Sequence, residues 1–199
     1  MGTVLAVAMS ALAVGSAGAA TIDWGAPGTV TSSPSVTTGS LTTTVTGGSS
    51  YEVLQEGAAN NFWTGEFANG ANVLYDKTSG VVDLTFSAPV TNLSLGVEPD
   101  LYGAFTATAQ IYDNGVLVDT INTSGANKFG AGALATISYA GPVTAVDLTV
   151  SNAAQGVAVG PVTANTAVSA APEPGALVLM GVGGLVVGAL AYGRRRVVA

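Results

Sequence analysis

The chain has 199 residues, no Cys and no His, and a formal net charge of −7 at pH 7. The lack of Cys excludes disulfides and thiol nucleophiles, and the lack of His removes the commonest general base. Three of the five basic residues are Arg194, Arg195 and Arg196, so the rest of the chain is acidic and has no basic patch. We therefore expect no nucleic-acid binding, because phosphate contacts need clustered Lys or Arg.

The N-terminal segment has the features of a signal peptide. Residues 4–14 form an apolar stretch that is too short to span a bilayer. Small residues follow, and Ala17-Gly18-Ala19 matches the A-x-A pattern of signal-peptidase cleavage. The sequence predicts a signal peptide over residues 1–20, cut after Ala19 or Ala20, with a buried helix as the alternative. No Lys or Arg precedes the stretch, which suggests that translation starts upstream of Met1.

Residues 21–50 are rich in Ser and Thr. A flexible stalk, an O-glycosylated segment and a ragged edge strand are all compatible with this composition. We favour extended, β-prone chain, because Val and Thr suit strands.

Residues 51–163 show the alternation of half-buried strands. Apolar side chains recur at every second position in four runs, which is the period of a β-strand. The runs are Val82/Leu84/Phe86, Leu93/Leu95/Val97, Phe105/Ala107/Ala109/Ile111 and Val146/Leu148/Val150. No long helical pattern lies between them. We predict an all-β domain over residues 51–163, an antiparallel β-sandwich of jelly-roll type.

Turn signals separate these runs. They are Ala88-Pro89, Glu98-Pro99-Asp100, Asp113-Asn114-Gly115 and Gly141-Pro142. Asn114-Gly115 is the strongest, because a type I′ turn needs positive φ at both central positions. It predicts a hairpin that joins residues 106–112 to residues 116–121.

Few acidic residues are placed as a metal site or an enzyme would need. Calcium takes carboxylate and carbonyl oxygens, and Glu98, Asp100 and Asp113 are candidate ligands near predicted loops. A spaced Asp/Asn loop motif is absent, which favours a solvated surface. The close acid pairs, Glu52 with Glu56 and Glu98 with Asp100, could in principle flank a sugar. We expect them to be turn or surface residues, so we predict no catalytic residues, no cofactor and no metal.

An aromatic stretch suggests a sugar contact. Trp63 lies in a polar, Gly-flanked segment, where Asn61 and Glu66 could supply hydrogen bonds to a stacked sugar ring. The alternative is that Trp63 and Phe67 fill the core, as large aromatic side chains usually do. We favour the core, and keep Trp63, Asn61 and Glu66 as candidate carbohydrate contacts.

The C-terminal segment is predicted to cross a membrane. Residues 164–171 form an expected linker, and residues 176–192 carry no charge. As a helix, residues 176–192 would span roughly 25 Å. Arg194, Arg195 and Arg196 follow and are expected to remain cytoplasmic, so that the domain faces outward.

Pro172-Glu173-Pro174, the apolar stretch and the terminal arginines resemble, in this order, a PEP-CTERM sorting signal over residues 172–199. The resemblance implies that an exosortase recognises Pro172, Glu173 and Pro174. It implies a transient inner-membrane anchor at residues 176–192, with Arg194, Arg195 and Arg196 as the stop-transfer signal. The family occurs in Gram-negative bacteria that make extracellular polysaccharide or biofilm matrix.

The middle of the chain is also similar, more diffusely, to β-sandwich domains that precede such tails. The similar stretches are residues 84–90, 111–115 and 141–150. Many of those domains carry an acidic turn before the sorting signal, whereas residues 157–162 contain no acid.

Together these features predict an exported, exosortase-sorted protein of the cell surface, extracellular matrix or medium. Its β-sandwich is expected to be non-catalytic, with a structural or polysaccharide-associated role. A carbohydrate-binding module is the main alternative. A glycoside-acting enzyme and a permanently anchored single-pass protein are the others.

Overall fold

A computed structural model describes residues 18–57, 63, 66–128 and 132–166, and every regular element within these ranges is a β-strand. Most of the signal peptide, the segment 176–192, the Pro-Glu-Pro motif and the terminal arginines lie outside the described residues. Within the described residues, no helix is long and apolar enough to cross a membrane.

Thirteen strands, paired antiparallel throughout, form one hydrogen-bonded sheet across the described residues. This confirms the all-β, antiparallel prediction. The strands are β1 (Ala19–Ile22), β2 (Val30–Thr31), β3 (Ser35–Thr38), β4 (Leu41–Thr46), β5 (Tyr51–Gln55), β6 (Asn72–Asp76), β7 (Val81–Pro99), β8 (Gly103–Asp113), β9 (Val116–Asn127), β10 (Ala135–Tyr139), β11 (Val143–Val150), β12 (Val157–Val159) and β13 (Val162–Thr166).

The 19-residue strand β7 organises the sheet. Its first half pairs with β4 and β11, and its second half pairs with β10, β12 and β13. The alternating apolar residues predicted from the sequence are buried along its length, as they are in β8 and β11. They form a large part of the main core, because every second side chain of a strand points to the same face.

The expected turn at Ala88-Pro89 is wrong, because β7 continues through both residues. The pairing of β7 with β11 shifts register between Val90 and Thr85. Pro89 is exposed in this irregular stretch, where its missing amide hydrogen costs no ladder bond. Asn92 follows in the left-handed conformation, with φ of 50°.

The predicted hairpin is confirmed. Strands β8 and β9 pair from Gly103 with Asn127 to Asp113 with Val116. Asn114 and Gly115 have φ of 49° and 79°, the positive values that a type I′ turn requires.

The described strands extend beyond residues 51–163 at both ends. The Ser/Thr-rich segment contains β2, β3, β4 and the second half of β1, and its apolar residues Ile22, Trp24, Leu41 and Val45 are buried in the main core. Residues 164–166, expected as linker, belong to β13, which pairs with β1. Both segments belong to the domain because they carry apolar side chains that face inward. These side chains can be buried only by packing against the other strands.

Candidate functional site

A second apolar cluster lies apart from the main core. It comprises Trp63, Phe67, Val73, Tyr75 and Ala158, and we call it the Trp63 cluster. Strand β6 separates the two groups, since Val73 and Tyr75 face the Trp63 cluster while Leu74, between them, belongs to the main core. Both faces of β6 are therefore buried.

Trp63 is part of the protein interior. Its side chain is 0% exposed, and its Nε1 donates a hydrogen bond to the Pro99 carbonyl at 3.2 Å. The rings of Tyr75 and Phe67 meet it edge-on, with centroids 5.1 and 6.4 Å away. This corrects the hypothesis of a sugar contact at Trp63, because stacking on a sugar needs an exposed ring face.

The structure describes only one of the other two candidate sugar contacts, Glu66. Asn61 lies outside the described residues. Glu66 is half-buried, and its Oε1 accepts a hydrogen bond from the Gly132 amide at 2.9 Å. Its Oε2 is buried and has no hydrogen-bond partner among the described residues.

Glu98 faces the Trp63 cluster from β7. It lies opposite Ala158 of β12, and Ala158 lies opposite Tyr75 of β6. Directly paired residues of antiparallel strands share a face. The side chain of Glu98 is 0% exposed, and neither carboxyl oxygen has a hydrogen-bond partner among the described residues.

The carboxyl groups of two other glutamates affect the pKa of Glu98. Burial, followed by the charges of Glu66 and then Glu56, raises the pKa of Glu98 to about 8. Glu56 is itself 4% exposed. We call Glu56, Glu66 and Glu98 the glutamate cluster. Burial and nearby negative charges both favour the neutral form of a carboxyl group, so Glu98 is mostly protonated at pH 7.

Asn127 connects these groups at the end of β9. Its Nδ2 donates to the Pro99 carbonyl at 2.7 Å, the same oxygen that accepts from Trp63. Its Oδ1 is buried without a hydrogen-bond partner in the described structure. Among the described residues, the Oδ1 of Asn127 and the Oε2 of Glu66 are thus buried acceptors without a donor, as are both carboxyl oxygens of Glu98.

The candidate calcium ligands do not come together. Glu98 is buried, and Asp100 accepts a hydrogen bond from the Tyr75 hydroxyl at 2.9 Å. Asp113 ends β8, an 11-residue strand that begins three residues after Asp100 and extends about 33 Å. Across the described ranges, no group of three or more acidic side chains is placed to hold a metal ion.

The two acid pairs considered for glycoside chemistry are not arranged as catalytic pairs, because in each pair one side chain is buried and the other is bonded to a neighbouring residue. Glu52 forms an ion pair with Lys77 at 2.5 Å, whereas Glu56 is buried. Glu98 is buried while Asp100 binds Tyr75. Neither pair presents two accessible carboxyl groups to a common substrate.

An open depression of about 360 Å³ lies at the junction of β7 and β10. Its lining includes Asn92, Ser94, Ser138 and Tyr139. The hydroxyls of Ser94 and Ser138 are 3.4 Å apart. Sequence reasoning missed this place, because it forms only when β10 pairs with β7. The one local signal is an aromatic residue just before the Gly141-Pro142 turn.

A polar row crosses the outer face of the sheet. Asp83, Asp147 and Gln110 lie side by side on β7, β11 and β8. Partial burial, and then the charge of Asp147, raises the pKa of Asp83. The Tyr112 hydroxyl lies 3.2 Å from Gln110 Oε1. The row is a strip of hydrogen-bonding groups on an accessible surface.

No protein-family model matches the chain, and no curated protein has a significantly similar sequence.

Proposed function

We propose that this chain is an exported protein that an exosortase sorts to the cell surface or extracellular matrix. The observation that carries this proposal is the succession of Pro172-Glu173-Pro174, the uncharged residues 176–192 and three arginines. Signal peptidase and exosortase are the processing partners, and the inner membrane holds the protein transiently. Extracellular polysaccharide is the proposed surrounding of the mature domain.

We further propose that the sheet folds into a β-sandwich of jelly-roll type. The support is the length and pairing of β7, whose two halves bond to different sets of strands. The register shift near Pro89 and the positive φ of Asn92 lie between these halves. Strands that pass from one sheet of a sandwich to the other commonly bend at such irregularities.

A non-catalytic, structural role is supported by the state of the acidic groups. The carboxyl groups nearest one another in sequence are buried or already bonded to Lys77 and Tyr75. The domain relies on its large core and its continuous sheet, which suit a stable extracellular module.

The sorting proposal predicts a specific product in the native host. Intact mass should show loss of residues 1–20 and of the tail beyond Pro174, with the product outside the cell. Changing Pro172, Glu173 and Pro174 together to alanine should shift most of the protein to an uncut form in the inner membrane.

A matched control is Asp119→Ala, which alters an exposed acid in β9 and should leave processing unchanged. If the wild-type product retains Arg194, Arg195 and Arg196 in the inner membrane, the chain is instead a permanently anchored single-pass protein.

A carbohydrate-binding module is the second candidate, and the depression beside Tyr139 favours it. An aromatic ring next to hydroxyl and amide groups can stack on a sugar and bond to its edges. A glycan array should then give at least one bound class, and Tyr139→Ala should reduce that binding by ~10-fold or more, the loss of a stacking contact worth about 1.4 kcal/mol. A structural protein should bind no glycan on the array.

A further inference from the structure

In the glutamate cluster, Glu98 lies where the described residues offer an ionised carboxylate no partner. Glu98 is fully buried, and no donor reaches either of its oxygens within the described residues. An unpaired charge in an apolar site is strongly unfavourable, so such a group is stable only in its neutral form.

We propose that the Trp63 cluster is a proton-dependent unit, which packs closed while Glu98 is neutral and loosens when Glu98 ionises. This device is independent of how the protein is sorted and of what it binds.

Among the described residues, no positively charged group or hydrogen-bond donor compensates an ionised Glu98. Glu56 and Glu66 add negative charge from the segment that follows β5. Strand β12 contributes the apolar Ala158. The nearest cation in sequence to Asn127, Lys128, has an exposed side chain.

The hydrogen-bond donors described near the cluster already have acceptors. Tyr75 donates to Asp100, and Glu52, further along that face, pairs with Lys77. The Asn127 amide donates to the Pro99 carbonyl. The buried Oδ1 of Asn127 and Oε2 of Glu66 are acceptors without a partner among the described residues, so neither can donate a hydrogen bond to an ionised Glu98.

Ionisation of Glu98 is therefore expected to open the Trp63 cluster. Glu98 loses its proton to solvent, and its carboxylate is repelled by Glu66 and Glu56. Water must enter to solvate it, which separates side chains that now exclude solvent. The folded state binds this proton more tightly than the unfolded chain does, because the pKa is raised from 4.5 to about 8. The stability that this proton gives to the folded state is therefore complete below pH 4.5 and is lost as pH rises through about 8, while the packing itself opens as Glu98 ionises near pH 8.

The experiment uses the full-length protein labelled with 5-fluorotryptophan. The chain has two tryptophans, so the fluorine NMR spectrum has two signals, which Trp24→Phe assigns. The Trp63 signal should shift or broaden between pH 6 and 9.5, with a midpoint near the pKa of about 8. The Trp24 signal, from the main core, should remain constant over that range.

Two variants make the test specific to Glu98. Glu98→Gln keeps the shape but cannot ionise, and it should remove the transition. Glu52→Gln changes an acid that is already paired with Lys77 and should retain it. A Trp63 signal that stays constant to pH 9.5, or that moves with the same midpoint in Glu98→Gln, overturns the proposal. If far-UV circular dichroism is lost over the same range, the whole domain unfolds and a local unit is contradicted.

Discussion

Trp63→Ala is expected to lower the free energy of unfolding by about 4 kcal/mol, as large-to-small changes of buried aromatic residues do. The change empties the centre of the Trp63 cluster and leaves the rings of Tyr75 and Phe67 without their edge-on partner. It also removes one of the two hydrogen bonds to the Pro99 carbonyl. Urea unfolding at pH 6, where Glu98 is neutral, measures the loss.

Matched variants separate packing from hydrogen bonding. Trp63→Phe retains an aromatic ring and loses the bond to Pro99, so it should cost less, about 2 kcal/mol. Tyr102→Ala removes an aromatic side chain that is 57% exposed, and its effect should stay within about 0.5 kcal/mol. Unchanged stability in Trp63→Ala, together with lost glycan binding, would restore the sugar-contact hypothesis.

The part of the fold predicted from the sequence is the part governed by local periodicity. Val82, Leu84 and Phe86 alternate with polar residues because one face of β7 is buried there and the other is not. Asn114-Gly115 sets its hairpin through backbone conformations that these two residues adopt readily. Both signals are contained within a few residues.

The Trp63 cluster has no such signal. Strand β12 is buried on both faces at Val157, Ala158 and Val159, so it shows no alternation. In the sequence Glu98 stands beside Pro99 in what looks like a surface turn, yet its side chain is buried on the face that it shares with Ala158 and Tyr75. These residues are distant from Glu98 in the sequence, and the sequence alone does not show that they pack together.

The Ser/Thr-rich segment shows a related limit. Thr43 is 0% exposed between Leu41 and Val45, which are also buried. A run of threonines is compatible with a solvated stalk and with a strand whose inward positions accept a hydroxyl. Whether such a run forms a stalk or a strand depends on whether another strand can pair with it. Here the run forms β4, which pairs with β7.

Asp76→Ala is the second change with a large expected effect, a loss of about 3 kcal/mol in the free energy of unfolding. Asp76 is 0% exposed at the end of β6. Its carboxylate accepts from the amides of Thr78 and Ser79 at 3.1 and 3.0 Å, and from their hydroxyls at 2.9 and 2.6 Å. Removing the carboxylate leaves this turn without its acceptors. Equilibrium urea unfolding checks the value, and Asp76→Asn, which keeps one acceptor oxygen, should lose less.

Gly48 supplies an independent test of the same site. A Cβ at position 48 would lie 2.5 Å from Asp76 Oδ1, so Gly48→Ala should be destabilising in the wild type. In the Asp76→Ala background the obstructing oxygen is gone, and the same change should cost less. The double-mutant cycle should therefore be non-additive by about 1 kcal/mol, within the range for residues in contact. Additive losses would mean that Asp76 does not pack against Gly48, and that the turn is stabilised by something other than this carboxylate.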